Sequence, residues 1–188
     1  MINKEITCIG KNVDIRSIRQ SDYKIFLDWQ ELDELNRYFP NKNFLNEIKN
    51  KSWVNSKIND KNGLYFIIMD AKDKTNIGIT ILENIDKKNF IASWGIYIAQ
   101  RRFMKKEYVF EASNLVLNFA FKNLGMKKVN GCSLANNIQG RNFHKKLGFK
   151  EEAIFNNQIL IDDYYVDLIW ISLTYANYFK SESYRLYP

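Results

Sequence analysis

Apolar and polar residues alternate along the chain in short runs whose period changes several times. Residues 12–19 alternate with a period of two, which is typical of a half-buried strand. Ser21 and Asp22 then offer an N-cap, and the apolar residues within 23–29 share one helical face. The pattern therefore predicts that the chain begins with a strand followed by a helix.

The next part of the pattern predicts a second helix and a run of strands. The helix is expected from about residue 43 to 57, after a break at Pro40. Strand-like apolar runs follow at 64–69, 76–85 and 90–99. Because turn residues separate these runs, we expect a meander of antiparallel strands.

The clearest helix of the chain is predicted over residues 107–124. No proline or glycine interrupts it, and Gly125 stands where a residue after the C-cap adopts a left-handed conformation. Its apolar residues recur at three- and four-residue steps: Ala112, Leu115, Val116, Phe119 and Ala120. A strand at 128–134, a polar turn, and a short helix closed by Gly148 come next.

The last third of the pattern predicts a hairpin and then an irregular end. Residues 150–160 form its first strand, and 162–173 read as a turn followed by a long strand. Residues 175–188 are aromatic and polar without clear periodicity, so we expect an irregular C-terminal tail. Packing on a partner subunit, packing on its own domain, and disorder are open alternatives for it.

Length and composition favour one globular domain spanning residues 1–188. The chain is 46% hydrophobic and 15% aromatic, enough to bury a sizeable core. No apolar run approaches the ~20 residues of a membrane span, and the N-terminus lacks the apolar core of a signal peptide. We therefore expect a cytoplasmic protein. Cys8 and Cys132 lie far apart and are expected to be reduced, partly buried thiols.

The formal net charge of +7 suits either a nucleic-acid binder or a pocket for an anionic small molecule. Lysine pairs are spread along the chain rather than massed in one tail or helix, so most are expected to be solvated. No nucleic-acid or membrane partner is predicted. Other classes are excluded by motif: the single histidine, without a G-x-S-x-G elbow, rules out a hydrolase triad, and G-x-G-x-x-G is missing. No zinc-ligand spacing occurs.

Several motifs together resemble one family. Residues 137–149, NIQGRNFHKKLGF, resemble the signature of the GCN5-related N-acetyltransferases (GNAT). Residues 111–129 resemble the long helix that follows the cofactor loop in that family, and 15–22 and 162–173 resemble its opening and its ending. The resemblance is to the groups that acetylate ribosomal-protein alanine or amino-sugar nucleotides. It implies an α/β, mixed-sheet, GNAT-like acyl-CoA N-acyltransferase fold. Its mostly antiparallel sheet would be flanked by helices and splayed between the family's strands four and five, here 90–99 and 128–134.

The same resemblance implies acetyl-CoA as co-substrate and no metal. A bulge expected at Gly95 would open the splay for the pantetheine arm. The arm would meet strand four and the turn after strand five, at Ile96, Tyr97, Ile98 and Asn137. The family's pyrophosphate loop corresponds to Met104, Lys105, Lys106, Glu107, Tyr108 and Val109. Its glycines are absent here. The main-chain donors survive that change, but the carboxylate of Glu107 would come close to phosphate oxygens.

For the chemistry, the resemblance implies His144 as the acid that protonates the departing thiolate. Glu83 is a candidate base acting through water, and Tyr97 and Asp86 are weaker candidates. The acceptor is expected to be a primary amine, either of an amino-sugar nucleotide or of a protein N-terminus. A catalytically inactive protein of the same fold that binds a ligand or partner is the open alternative, because the loop glycines are missing. A homodimer is also an open alternative.

Overall fold

The computed structural model describes residues 5–30, 47–161 and 163–186. The chain divides into two compact units, Met1–Glu83 with Ile96–Val116, and Asn84–Gly95 with Leu117–Pro188. Eight strands follow the hydrogen-bonded order β1-β2-β3-β4-β5-β6-β8-β7. Their bounds are β1 Thr7–Ile9, β2 Val13–Ser17, β3 Leu64–Asp70, β4 Asn76–Asp86, β5 Ile91–Ile98, β6 Lys128–Leu134, β7 Lys150–Ile161 and β8 Tyr164–Thr174.

Six α-helices accompany the sheet in the described ranges. They are α1 Tyr23–Gln30, α2 Glu47–Ile58, α3 Lys106–Asn118, α4 Ile138–Leu147, α5 Tyr175–Lys180 and α6 Glu182–Leu186. A π-helical turn, Phe119–Asn123, continues α3. Gly125 follows it with φ +70°, the left-handed conformation predicted for that position. The predicted start of the second helix, residues 43–46, lies outside the described residues.

In the first unit β1 pairs antiparallel with β2, β2 with β3, and β3 with β4, so that β1 lies at the edge. The sequence pattern did not predict β1. Strand β3 is apolar on both faces, and its Phe66, Ile67 and Ile68 are fully buried. An apolar run without alternation is the pattern of a strand covered on both sides, so β3 forms the centre of this unit's core.

In the second unit, β6 pairs antiparallel with β8, which pairs antiparallel with β7. β5 and β6 are parallel, and their pairing joins residues 91–93 to 128–130. It ends there, although both strands continue to Ile98 and Leu134. These observations confirm the predicted α/β fold, with a mostly antiparallel sheet splayed between the family's strands four and five.

The predicted irregular tail is wrong for residues 175–186, which form α5 and α6. Thr174 caps α5 by accepting a hydrogen bond from the N–H of Asn177. Tyr178 is fully buried and stacks on Phe121 at 5.1 Å between ring centroids. Helices of six and five residues are too short to show a helical period in the sequence, so tertiary packing decides their structure.

Candidate functional site

The strand segment predicted to meet the pantetheine arm, Ile96, Tyr97 and Ile98, closes β5 in the first unit. Here β5 approaches β4 closely: a Cβ on Gly78 would lie 2.2 Å from the carbonyl oxygen of Tyr97. Ala99 N–H donates to the carbonyl of Ile77 at 2.8 Å, which continues the contact between these strands. Gly78 is therefore required by the close backbone approach. The bulge at Gly95 and the contact with the cofactor stay predictions.

The predicted pyrophosphate loop, residues 104–109, leads into α3 and includes its first turn, in the first unit. Val109 N–H donates to the carbonyl of Lys105, which closes this turn. The N–H groups of Lys106, Glu107 and Tyr108 precede the first carbonyl that the helix can offer them. Such groups, with the positive end of the helix dipole, favour an anion. This turn therefore has the backbone N–H donors that the resemblance predicts, although it has no glycine.

The side chain of Tyr108, in this turn, is anchored to β3. Tyr108 donates its hydroxyl proton to Asp70 at 2.8 Å, and this hydrogen bond raises the pKa of Tyr108. Burial acts to raise the pKa of Asp70, but the bonds from Tyr108 and from the N–H groups of Lys72 and Asp73 lower it overall. Asp70 is therefore ionised and accepts at neutral pH. The side chain of Tyr108 is thus tied to β3. In the family pattern this residue stands between the two glycine positions, which are 107 and 109 here.

Two lysines of the same turn each place their ammonium group over an aromatic ring. The ammonium of Lys105 lies 5.6 Å from the ring centroid of Tyr108, and that of Lys106 lies 5.9 Å from that of Phe110. Glu107 is exposed, and the described residues provide no hydrogen bond or ion pair for its side chain. The local balance is therefore two ordered cations against one unpaired carboxylate.

We expect Glu107→Gly to tighten acetyl-CoA binding by about three- to tenfold, because it removes a negative charge near the phosphate donors and opens the backbone. Isothermal titration calorimetry at low salt measures the change. Glu107→Gln is the matched control, since it removes the charge and keeps the side chain. Equal gains in both variants would assign the effect to charge alone. Weaker binding of both variants would contradict the placement of Glu107 beside the phosphates.

Glu83, the predicted base, lies on β4 in the first unit and is held on one side. Tyr65 donates to Glu83 Oε1 at 2.6 Å, and Lys57 donates to the same oxygen at 3.1 Å. Neither partner is predicted by the sequence, because they lie 18 and 26 residues away along the chain. The alternative candidate Asp86 instead caps the turn after β4 by accepting bonds from the N–H groups of Lys88 and Asn89.

Asn137, in the second unit, is the N-cap of α4. Its side-chain oxygen accepts a hydrogen bond from the N–H of Gly140 at 2.9 Å. A Cβ on Gly140 would lie 2.6 Å from Asn137 Nδ2, so a larger residue there would make the Asn137 amide shift. The cap by itself explains an asparagine at this position. A cofactor contact through Asn137 stays a prediction.

His144, the predicted acid, lies on α4 within a group of aromatic rings. Its ring centroid is 5.9 Å from that of Trp94, 5.5 Å from Phe143 and 5.7 Å from Phe149. The Nδ1 atom is buried and has no hydrogen-bond partner in the described part of the chain. Burial lowers the pKa of His144 to about 4. The imidazole is therefore neutral at pH 7, which opposes the predicted role as an imidazolium donor.

The predicted site residues thus fall into two groups, each described within its own unit. The first unit holds Glu83 and the β5 and α3 residues predicted to bind the cofactor: Ile96, Tyr97, Ile98, Met104, Lys105, Lys106, Glu107, Tyr108 and Val109. The second unit holds Asn137 and His144.

Comparison with known proteins identifies the family of this chain. The acetyltransferase (GNAT) domain model matches residues 12–150. The chain belongs to this GNAT family and is an acetyltransferase. The match includes α3 and α4, and it ends at the first residue of β7.

Individual relatives agree with this assignment. The SPbeta prophage-derived uncharacterized N-acetyltransferase YokL of Bacillus subtilis (strain 168) is 29% identical over 169 residues, which cover 88% of this chain and 91% of YokL. Ribosomal-protein-S5-alanine acetyltransferase from Vibrio fischeri has a TM-score of 0.81 at 16% identity, covering 93% of this chain and 99% of that one. Spermidine N-acetyltransferase from Vibrio cholerae, solved with CoA and spermine, has a TM-score of 0.80 at 19% identity, covering 89% and 98%. At these identities the two structures show the shared fold.

Residues 5–30, 47–161 and 163–186 include no helix with the length and hydrophobicity of a membrane span. They contain no group of three or more His, Cys, Asp or Glu residues that could hold a metal ion. Neither cysteine forms a disulfide; Cys8 is half-buried as expected, whereas Cys132 is exposed.

Proposed function

We propose that this GNAT acetyltransferase moves the acetyl group of acetyl-CoA directly to a primary amine. The observation that supports acetyl-CoA best is the first turn of α3, where the N–H groups of Lys106, Glu107 and Tyr108 have no helical partner and two ordered lysines lie close by. CoA carries several phosphate charges that such donors and cations favour. The backbone of β5, at Ile96 to Ile98, would bind the pantetheine arm.

The reaction requires a neutral amine and a polarised thioester carbonyl. In this proposal a β5 backbone N–H polarises the carbonyl, and Glu83 takes a proton from the incoming ammonium, directly or through water. The second proton from nitrogen leaves with the CoA thiolate. His144 is placed as the donor by the family motif, but its neutral imidazole makes solvent the stronger candidate for that step at pH 7.

For the acceptor, we propose the amine of an amino-sugar nucleotide ahead of a protein N-terminal α-amine. The net charge of +7 favours an anionic acceptor over a cationic one such as a polyamine. The second candidate is retained because the fold superposes on a ribosomal-protein-S5-alanine acetyltransferase with a TM-score of 0.81. Self-association into a homodimer is a further part of this proposal and is tested by analytical ultracentrifugation.

Calorimetry with acetyl-CoA is the first test of this function. We expect micromolar binding, and a rise in the melting temperature that follows the acetyl-CoA concentration. Release of free CoA is then measured with three amines: a uridine-diphosphate amino sugar, a peptide that begins with alanine, and spermidine. The amino-sugar nucleotide is expected to release CoA fastest. Absence of both binding and release would favour the inactive-protein alternative, and fastest release with spermidine would overturn the acceptor class.

A further inference from the structure

A cluster of three polar side chains, those of Lys57, Asp60 and Tyr65, surrounds Glu83 between α2, β3 and β4, wholly within the first unit. Tyr65 OH lies 2.6 Å from Glu83 Oε1 and 3.0 Å from Asp60 Oδ2. Lys57 Nζ lies 3.1 Å from the same Glu83 oxygen and 3.0 Å from Tyr65 OH. Two donors thus converge on one carboxylate oxygen of Glu83, and Asp60 joins the cluster through the Tyr65 hydroxyl.

The proton positions in this cluster follow from the chemistry of its groups. An ammonium has only donors, so Lys57 donates to both oxygens, and the phenol accepts from it. Tyr65 then directs its own proton to one acceptor, and the 2.6 Å distance favours Glu83. Burial, followed by the hydrogen bond to Glu83, raises the pKa of Tyr65 far above its ordinary value. The phenol therefore stays protonated and remains a donor.

Lys57 is held in place by more than the carboxylate. Its ammonium lies 4.7 Å from the ring centroid of Tyr65 and 5.8 Å from that of Trp53. These contacts fix the cation over two aromatic faces and reduce the freedom that a lysine usually keeps. Trp53 also packs edge-on against Tyr65, which ties α2 to β3.

The two oxygens of the Glu83 carboxylate therefore have different surroundings. Oε1 of Glu83 receives both hydrogen bonds, whereas Oε2 has no hydrogen-bond or ion-pair partner in the part of the chain that the structure describes. About a third of the Glu83 side chain is open to solvent. A base whose geometry is fixed through one oxygen presents the other in one direction.

We propose that Lys57 and Tyr65 are positioning residues for the acetyl transfer, holding Glu83 through Oε1 so that Oε2 takes the proton of the acceptor ammonium. This inference rests on the proposed function. It assigns a role in the reaction to two residues, on α2 and β3, that no sequence motif marked.

In the proposed transfer, an acceptor ammonium becomes an acetamide. The acceptor R–NH3⁺ gives one proton to Glu83 Oε2, and the nitrogen lone pair forms a bond to the thioester carbonyl carbon. The C–S bond breaks, its electron pair leaves with sulfur, and the second proton from nitrogen ends on the thiolate to give CoA-SH. The carboxylic acid of Glu83 then loses its proton to water. The products are the acetamide, CoA-SH and one released proton.

An ion pair on the same helix provides the matched control. Lys51 pairs with Glu47 at 2.5 Å, and its ammonium lies 4.7 Å from the ring centroid of Tyr23, so it repeats the lysine–carboxylate–tyrosine pattern. Both of its charged side chains are about half exposed, at 45% and 55%. Lys51→Met is expected to leave kcat within about twofold of wild type, because an exposed pair of this kind contributes little.

The test measures kcat and KM between pH 6.5 and 9 with the amine of the three-member panel that releases CoA fastest. We expect Glu83→Gln to lower kcat about 100-fold at pH 6.5, with the KM for acetyl-CoA unchanged. The deficit should shrink steadily toward pH 9, because an amine with a pKa near ~8 is then deprotonated by solvent. Lys57→Met and Tyr65→Phe should each lower kcat about tenfold with the same pH trend. Lys57→Arg should restore most of the loss, since it still donates to Oε1.

Other outcomes would overturn either this inference alone or the proposed function as well. A deficit that does not change with pH, or a Glu83→Gln enzyme with wild-type kcat, would overturn the inference while the acetyltransferase function stands. Equal losses in Lys57→Met and Lys51→Met would show that charge on α2 matters and positioning does not. Wild-type protein that binds acetyl-CoA without releasing CoA to any of the three amines would reject the proposed function, and this inference with it. Melting temperatures within a few degrees of wild type exclude unfolding as the cause.

Discussion

Glu111→Ala is expected to lower the free energy of unfolding by about 3 kcal/mol or more, the largest single stability effect predicted for this chain. Glu111 lies on α3 and is only 7% exposed. Its carboxylate accepts hydrogen bonds from the N–H groups of Lys11 and Asn12, and Asn12 Nδ2 donates to its Oε2 at 2.6 Å. Alanine leaves these donors without an acceptor and opens a cavity beside Gly10.

The contact also fixes the helix that carries the proposed phosphate donors. Glu111 is one turn beyond Glu107, and its partners lie about 100 residues earlier in the chain. Chemical denaturation monitored by tryptophan fluorescence measures the loss of stability. Glu107→Ala is the control, because it removes an exposed carboxylate from the same helix and should change the denaturation midpoint little. A midpoint for Glu111→Ala equal to that of Glu107→Ala would show that the buried carboxylate contributes nothing to the fold.

His144→Phe is expected to remove a fall in stability that wild-type protein shows between about pH 6.5 and 4. Burial lowers the pKa of His144 from 6.5 to about 4, so the unfolded chain binds a proton in this range that the folded chain does not. Stability therefore rises with pH across this window and is fully present above pH 6.5. The difference in pKa corresponds to at most about 3 kcal/mol.

Thermal unfolding at half-unit steps of pH measures this effect. Carboxylates with lowered pKa, such as Glu151 and Glu152, also destabilise the fold in acid, but they begin to do so near pH 4.5. The difference between wild type and His144→Phe isolates the histidine, and His144→Leu checks that ring size is not the cause. Parallel curves for wild type and both variants would show that the imidazole is not desolvated. The same His144→Phe protein separates the acid role: a neutral imidazole predicts an unchanged kcat at pH 7.

Local pattern predicted most of the regular elements because their apolar residues recur in runs or periods typical of a helix or a strand. The period of the apolar residues placed α3 and its left-handed Gly125, and runs of strand-forming residues placed β3, β4 and β5. At the hairpin between β7 and β8, Asp163 adopts φ +70°, which an aspartate tolerates better than most residues. The prediction failed for short elements. β1 has three residues, and its pairing with β2 creates it.

The sequence predicted correctly that a helix begins near Asp22, but not which backbone group its carboxylate would contact. Asp22 does satisfy a backbone donor, but that donor is the N–H of Arg19, at the start of a 3-10 turn that precedes α1. Its carboxylate is also paired with both terminal nitrogens of Arg16, at 2.8 and 2.9 Å. Neighbouring residues in the sequence therefore indicated that a helix begins near Asp22. The ion pair between Asp22 and Arg16 of β2 depends on the tertiary structure.

The amino-acid sequence by itself determined the family resemblance, the order of the strands and helices other than β1, α5 and α6, and the candidate loop without glycines, because all three depend on residues close together in the chain. Tertiary structure alone decided the environment of each candidate. It placed His144, half-buried, among aromatic rings, tied Tyr108 to Asp70, and joined Lys57 and Tyr65 to Glu83. Hydrogen bonding and desolvation depend on which atoms the folded chain brings within a few ångströms, and spacing along the sequence does not set those distances.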